Sequence, residues 1–332
     1  MNYKVPCILL LVAVLLYYFL SPAPPLSDEQ LSTHLKDKVV LICGASSGIG
    51  EELAYQLAGH GAKLVLVGRD QDKLVAVKEG VMKLGVVERD VKTISFDFSD
   101  VKGSSGVINQ TVAWFGKLDY LVSNHAAMIL SAFLAFPYQH NPEYIEKIYR
   151  VNLFSHIELA VHALPHLEDS QGHMFVTSSG AGEVPFYYPI YCSTKHALNG
   201  FFYSFQQELL ARQSPVSLTV GTFSHIATKD LSKVLKEQTE HIPAFAVGDV
   251  KHCARVMMEA YITRPQSISY PKVVMFILRS LWYFMPHYHQ ITIESLKPPG
   301  SQGNGYWENV QYAIDKRELK KELRFQQGYD GN

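Results

Sequence analysis

Cysteine is scarce in this chain, and its spacing offers no pairing. Cys7, Cys43, Cys192 and Cys253 are the only four, with no C-x-x-C pattern, so neither a disulfide framework nor a metal site is expected. Charge of one sign is lacking too. The 30 Lys and Arg balance 31 Asp and Glu, for a formal net charge of −1. A nucleic-acid binder needs a basic surplus, so that class has no support. No internal repeat is visible. The apolar content of 47% is ample for a core.

Long apolar runs are nearly absent. The exception is residues 5–20. About 16 residues cover roughly 24 Å as a helix, slightly short of the ~30 Å bilayer core. Pro22, Pro24 and Pro25 make a poor cleavage site, which favours a retained anchor over residues 1–25 rather than a removed signal peptide. Lys4 precedes the segment, while Asp28 and Glu29 follow it. The positive-inside bias then sends the rest of the chain into the lumen of the endoplasmic reticulum. Asn109-Gln110-Thr111 is a glycosylation sequon consistent with that side. At the other end, residues 297–332 are rich in Pro, Gly, Gln and Asn and then charged, which predicts a flexible tail.

Between these ends lies a strand, a glycine-rich turn and a helix start. Residues 39–43 are wholly apolar, Gly44-Ala-Ser-Ser-Gly48-Ile-Gly50 follows, and residues 51–60 place Leu53, Ala54 and Leu57 on one helical face. The glycines permit tight turning, and free helix N–H groups attract anionic oxygens. The arrangement predicts a phosphate site in a doubly wound α/β sheet. A second strand over 63–67 ends in Gly68-Arg69-Asp70. With no acid at 68 and Arg69 following, a 2′-phosphate is favoured over a free hydroxyl, hence NADP(H). The plainer reading is a solvated Arg69 neutralised by Asp70.

Tyr191 and Lys195 lie four residues apart, on one face if residues 190–212 are helical. An ammonium beside a phenol lowers the tyrosine pKa from roughly 10. Such a tyrosine can protonate a carbonyl oxygen or deprotonate an alcohol. Ser178 or Ser179 can polarise the same oxygen. The same spacing at Tyr312 and Lys316 lacks both serine and glycine context and reads as chance.

Together these residues resemble the short-chain dehydrogenase/reductase family, over about residues 36–290. Gly44 to Gly50 is similar to its cofactor turn and Asp97 to its adenine contact after the third strand. Asn124-His125-Ala126-Ala127 is similar to its fourth-strand turn and Asn152 to its helix asparagine. Tyr191-Cys-Ser-Thr-Lys195 is similar to its signature. Within the family the nearest resemblance is to membrane-bound hydroxysteroid dehydrogenases. Four departures stand out. Cys43 replaces a Thr, the fourth-strand turn lacks its last Gly, and Phe223-Ser224 replaces Pro-Gly. The step from Ser179 to Tyr191 is also one residue short. Ser178 has the usual separation and Ser179 the usual Ser-x-Ala-Gly context; Ser179 is preferred, with a shortened loop at 185–189.

The resemblance implies a single Rossmann-type domain and an NADP(H)-dependent oxidoreductase interconverting a ketone and a secondary alcohol on a steroid-like or other lipid substrate. It implies catalytic roles for Ser179, Tyr191, Lys195 and Asn152. It implies cofactor contacts at Gly44, Ser46, Ser47, Gly48, Ile49, Gly50, Arg69, Asp97, Asn124, Tyr191, Lys195, Ile226 and Thr228, and allows a homodimer. Residues 184–190 are expected to wall the substrate pocket, with Phe223 and residues 226–247 as a lid. Residues 273–285, apolar but interrupted by Arg279, read as a surface-packed helix or a contact with membrane or a second subunit. The structural alternatives are plain. Asn152 is then a satisfied polar residue, Thr228 an N-cap, Asp97 a turn cap and His125 a bonded loop histidine. The alternative function is a weakly catalytic cofactor- or lipid-binding protein on the same fold.

Overall fold

A computed structural model describes residues 24–127, 141–186, 188–229 and 246–287. The apolar segment at 5–20, the tail at 297–332 and most of the expected lid lie outside the described residues. Among the described residues no helix is long and apolar enough to cross a membrane.

Ser27 opens α1 (Asp28–Leu35) with a reciprocal cap, its hydroxyl accepting from Gln30 N–H while the Gln30 side chain accepts from Ser27 N–H at 2.8 Å. Then come β1 (Val39–Cys43), α2 (Gly48–Gly59), β2 (Lys63–Gly68), α3 (Gln71–Lys83), β3 (Val91–Ser95), α4 (Ser104–Phe115) and β4 (Tyr120–Ser123). The second half runs through α5 (Pro142–Tyr149), a π-helical turn (Arg150–Phe154), α6 (Ser155–Ser170) and β5 (His173–Ser179). A 3-10 turn (Gly180–Gly182), α7 (Pro189–Ala211) and β6 (Ser217–Phe223) come next. Last are β7 (His225–Ile226), β8 (Val247–Gly248), α8 (Val250–Thr263), β9 (Ser267–Tyr270) and α9 (Lys272–Phe284).

Seven strands pair in the order 3-2-1-4-5-6-9, each parallel to its neighbours. Strand β1 is apolar throughout because helices cover both faces of the sheet. Val40 and Ile42 face a layer with Leu53, Leu57 and Met257, while Leu41 and Cys43 face one with Leu159, Leu198 and Phe202. Each buried Leu, Ile or Val is worth about 1.5–3 kcal/mol, so this double packing fixes the strand positions. The strand order reverses between β1 and β4, which opens a crevice at their carboxyl ends. A separate two-stranded sheet pairs β7 with β8 in parallel.

Phe223 belongs to the core and not to a lid, contrary to the expectation from sequence. It is 3% exposed and stacks on Phe175 with ring centroids 6.1 Å apart. The reason is strand alternation. Gly221, two residues earlier on the same face, leaves the room that the Phe175 ring fills. In the sequon, Asn109 is exposed on α4, whereas Thr111 is buried and donates to the Val107 carbonyl at 2.9 Å. Cys43, Cys192 and Cys253 are buried free thiols.

Candidate active site

The glycine-rich turn leaves β1 with Gly44 at φ +88°, a left-handed conformation suited to glycine. A Cβ there would stand 2.8 Å from the backbone N of His125, so the β4 turn lies directly against it. Asn124 fastens the same contact, its Nδ2 donating to the Gly44 carbonyl at 3.3 Å. Ser47 is the N-cap of α2 but its side chain makes no capping bond. The first amides of α2 are therefore left for an outside acceptor. Across the crevice, Thr228 lies over Gly48, whose Cβ would come within 3.1 Å of the threonine Cγ2. Gly48 and Gly50 sit inside the first turn of α2 with Ile49 between them.

At the tip of β2, Gly68 accommodates the Ser46 side chain, whose Oγ would lie 2.9 Å from a Cβ on Gly68. Arg69 is exposed beside it. Asp70 is engaged on its other side, as the cap of α3. It accepts from Lys73 N–H at 3.1 Å and faces the Lys73 ammonium at 3.8 Å. Asp97 accepts from Ser99 N–H at 2.9 Å, the turn-capping geometry. The adjacent Phe98 stacks on His125 with centroids 3.7 Å apart, which joins the ends of β3 and β4. His125 stacks in turn on His156 at 3.9 Å. Burial, aided by the charge of Lys195, holds both imidazoles well below their usual pKa, so they are neutral.

The second half of the site hangs on α7. Pro189 starts this helix, and Tyr191 and Lys195 share one face of it, 8% and 1% exposed. Lys195 Nζ lies 5.9 Å from the centre of the Tyr191 ring and donates to the Thr177 carbonyl at 3.0 Å. The Ser179 hydroxyl stands close enough to the Tyr191 phenol to lower its pKa, and it accepts from Ala181 N–H at 3.2 Å. Ser178 points the other way along the alternating strand, buried and without a partner among the described residues. The geometry therefore selects Ser179 over Ser178 as the hydroxyl that meets the phenol.

The tuning differs from the sequence expectation. Burial raises the Tyr191 pKa to about 12, against the smaller lowering from Ser179. Burial also pulls the Lys195 pKa down to about 8. Each charged form, phenolate and ammonium, loses its water on burial, and at Tyr191 this loss outweighs the lowering from Ser179.

Asn152 occupies the π-helical turn, a feature frequent at functional sites. Its Oδ1 accepts from Ala127 N–H at 2.7 Å, and its Nδ2 donates to the Ala127 carbonyl at 2.9 Å and to Thr194 Oγ1 at 3.3 Å. It thus clamps the β4 turn to α7 one residue before Lys195. Ile226 is buried in the core, and its carbonyl accepts from Thr228 N–H at 2.7 Å. Phe186 and Tyr188, from the expected pocket wall, pack on Tyr191 and Cys192.

Three residues near the site carried no sequence signal strong enough to find them. Asn199, one turn after Lys195, donates to the Gly182 carbonyl at 2.9 Å. Glu183 and Arg279 form a two-pronged ion pair, with Arg279 Nη2 2.6 Å from Glu183 Oε1. The lone Arg in an otherwise apolar helix was the one hint.

Residues 38–238, from the residue before β1 into the expected lid, match the short chain dehydrogenase family. A hydroxysteroid 11-beta-dehydrogenase 1-like protein from Xenopus tropicalis is 32% identical over 285 residues, covering 86% of this chain and 92% of the relative. The 11-beta-hydroxysteroid dehydrogenase-like 2 protein of Arabidopsis thaliana is 32% identical over 270 residues, covering 76% and 84%. A Caenorhabditis elegans short-chain dehydrogenase/reductase solved with cofactor superposes with TM-score 0.63 at 25% identity, covering 72% and 96%. L-sorbose reductase from Gluconobacter frateurii, solved with NADPH and L-sorbose, gives TM-score 0.61 at 23% identity, covering 70% and 95%. With a family match across well over half of its length, this chain belongs to the short-chain dehydrogenase/reductase family of oxidoreductases.

Proposed function

We propose that this protein is an NADP(H)-dependent oxidoreductase that interconverts a ketone and a secondary alcohol on a bulky lipophilic substrate. The observation that carries the reading is the convergence of three groups: Ser179 at the end of β5, the buried Tyr191 on α7, and Lys195 one helical turn on, with its Nζ 5.9 Å from the Tyr191 ring centre. The nicotinamide cofactor, when bound, supplies or accepts a hydride. Its phosphates suit the uncapped start of α2 and the Gly44–Gly50 turn, flanked by Ser46, Ser47, Asn124 and Thr228. Arg69, with Asp70 occupied as a helix cap, suits a 2′-phosphate. Asp97 suits the adenine side, and the Ile226 backbone suits the carboxamide side.

In the reducing direction Tyr191 holds its proton at neutral pH, as a phenol raised to about 12 must. It gives that proton to the carbonyl oxygen, which Ser179 steadies with a hydrogen bond. Lys195 orients the ribose and stabilises the phenolate that forms. Asn152 keeps the β4 turn and α7 in register so that the proton can be replaced from water.

The substrate class draws support from the apolar Phe186 and Tyr188 beside Tyr191 and from the hydroxysteroid dehydrogenase names of the relatives. An anchor at residues 1–25, a lumenal catalytic domain at the endoplasmic reticulum and a homodimer complete the proposal. A glycosidase-sensitive mass shift and protease protection in sealed microsomes test the location; full digestion from the cytosolic side defeats it. For the reaction, ketones and alcohols are screened by absorbance of the reduced nicotinamide. Tyr191→Phe is expected to lower turnover by about 10²- to 10⁴-fold with cofactor binding retained. Turnover like that of the natural enzyme in this variant refutes the assignment.

A further inference from the structure

Ser179 stands at the end of β5, and the turn beyond it is held from two sides. On the α7 side, Asn199 Nδ2 donates to the Gly182 carbonyl at 2.9 Å, and a Cβ on Gly182 would meet the Lys195 carbonyl at 2.7 Å. On the other side stands α9. Met275, Leu278 and Arg279 occupy positions i, i+3 and i+4, one face of that helix. Met275 is fully buried, with its Sδ 3.2 Å from where a Gly180 Cβ would be. Arg279 grips the Glu183 carboxylate with two nitrogens, Nε on Oε2 and Nη2 on Oε1, and its Nη2 also donates to Ser269 Oγ at 2.6 Å. Glu183 accepts a further bond from Thr222 Oγ1 at 2.9 Å. Phe186 packs against both the Tyr191 cluster and the Met275 cluster, so the apolar and polar contacts reach the same loop.

A planar guanidinium on a carboxylate fixes orientation as well as distance. Glu183 is four residues after Ser179, with only the Gly-Ala-Gly turn between them. We infer that Glu183 and Arg279 are positioning residues of the reaction: their ion pair, seated through α9, holds the serine loop where Ser179 meets the Tyr191 hydroxyl. This rests on the reading of Ser179 and Tyr191 as the reacting pair.

The test uses the full-length protein and oxidation of a secondary alcohol found in the screen. Arg279→Met is expected to lower kcat by about 10- to 100-fold, the scale of a misplaced catalytic group, with the dissociation constant for NADP(H) within twofold. Alcohol oxidation needs the phenolate. Ser179 lowers the Tyr191 pKa, while Lys195 and Cys192 beside it stay in place. Moving the Ser179 hydroxyl away shifts the rising limb of the pH profile to higher pH. In a Ser179→Ala background, Arg279→Met is expected to cost less than twofold, because the hydroxyl it positions is gone. Arg279→Lys keeps charge without the fork and should fall between. If Arg279→Met does not fold, Arg279→Lys and Glu183→Gln carry the same comparison. An equal loss in both backgrounds, or an unmoved pH profile in an active protein, overturns the positioning role alone. A natural protein that turns over no ketone or alcohol defeats the oxidoreductase reading, and the positioning role with it.

Discussion

Replacing Lys195 by Met should make the protein more stable and inactive together. The side chain is 1% exposed, and burial pulls its pKa from 10.5 to about 8. At about 1.4 kcal/mol per pH unit, this is a cost on the order of 3 kcal/mol for keeping the ammonium inside at neutral pH. The bond to the Thr177 carbonyl, 3.0 Å long, returns about 1.5 kcal/mol. Methionine has similar length and no charge, so the net gain is about 1–2 kcal/mol. For a domain of this size that raises Tm by roughly 2–8 °C. The pH dependence is the sharper test. Below pH 8 the lysine is charged in both folded and unfolded protein, and the whole cost applies. Between about 8 and 10.5 the unfolded chain holds more protons, so the stability of the natural protein climbs with pH. The advantage of the variant should therefore shrink across that window, vanish partway through it and reverse toward its top. Melting curves of both proteins from pH 7 to 10.5 measure this; subtraction removes the other titrating groups. A variant less stable at pH 7, or an offset constant with pH, refutes the reasoning.

Arg69→Ala should lower the preference for NADPH over NADH at least tenfold and leave Tm unchanged; an unaltered ratio of kcat/KM values defeats the 2′-phosphate assignment. Gly44→Ala forces a Cβ to within 2.8 Å of the His125 backbone at φ +88°, so fluorescence titration should find nicotinamide dinucleotide binding at least tenfold weaker. Asn152→Ala removes bonds to Ala127 and Thr194 and leaves the half-buried Ala127 backbone groups unpaired, at about 1–3 kcal/mol. Both Tm and turnover should fall, and a loss in neither excludes the clamp.

The glycine-rich turn between β1 and α2 was legible because its signals are local. An apolar run stops at Gly44, and a helix begins within the same ten residues. The helix bearing Tyr191 and Lys195 was expected at 190–212 and spans Pro189–Ala211, since its face is written in consecutive turns. Quantities set by surroundings were not legible. Spacing brings the Lys195 ammonium near Tyr191 but says nothing of the water both groups lose, so the direction of the tyrosine shift came out opposite. Phe223 looked like part of a lid until the neighbouring strand placed Phe175 against it. Ser178 and Ser179 compete on motif grounds, and strand alternation separates them. Glu183 and Arg279 are 96 positions apart; the sequence marks the arginine as odd, and folding alone names its partner.

The wide turn at Arg150–Phe154 carries an evolutionary consequence. It fits one residue more into its turn than ordinary helical winding does, so losing one residue there would restore regular winding and leave the flanking faces where they are. A loss elsewhere in residues 142–170 would instead turn one flank about 100° against the other. Tyr149, which now reaches Ser193 on α7, would then be carried away from it. Single-residue gaps among related sequences should therefore fall at this turn and not along the regular stretches beside it.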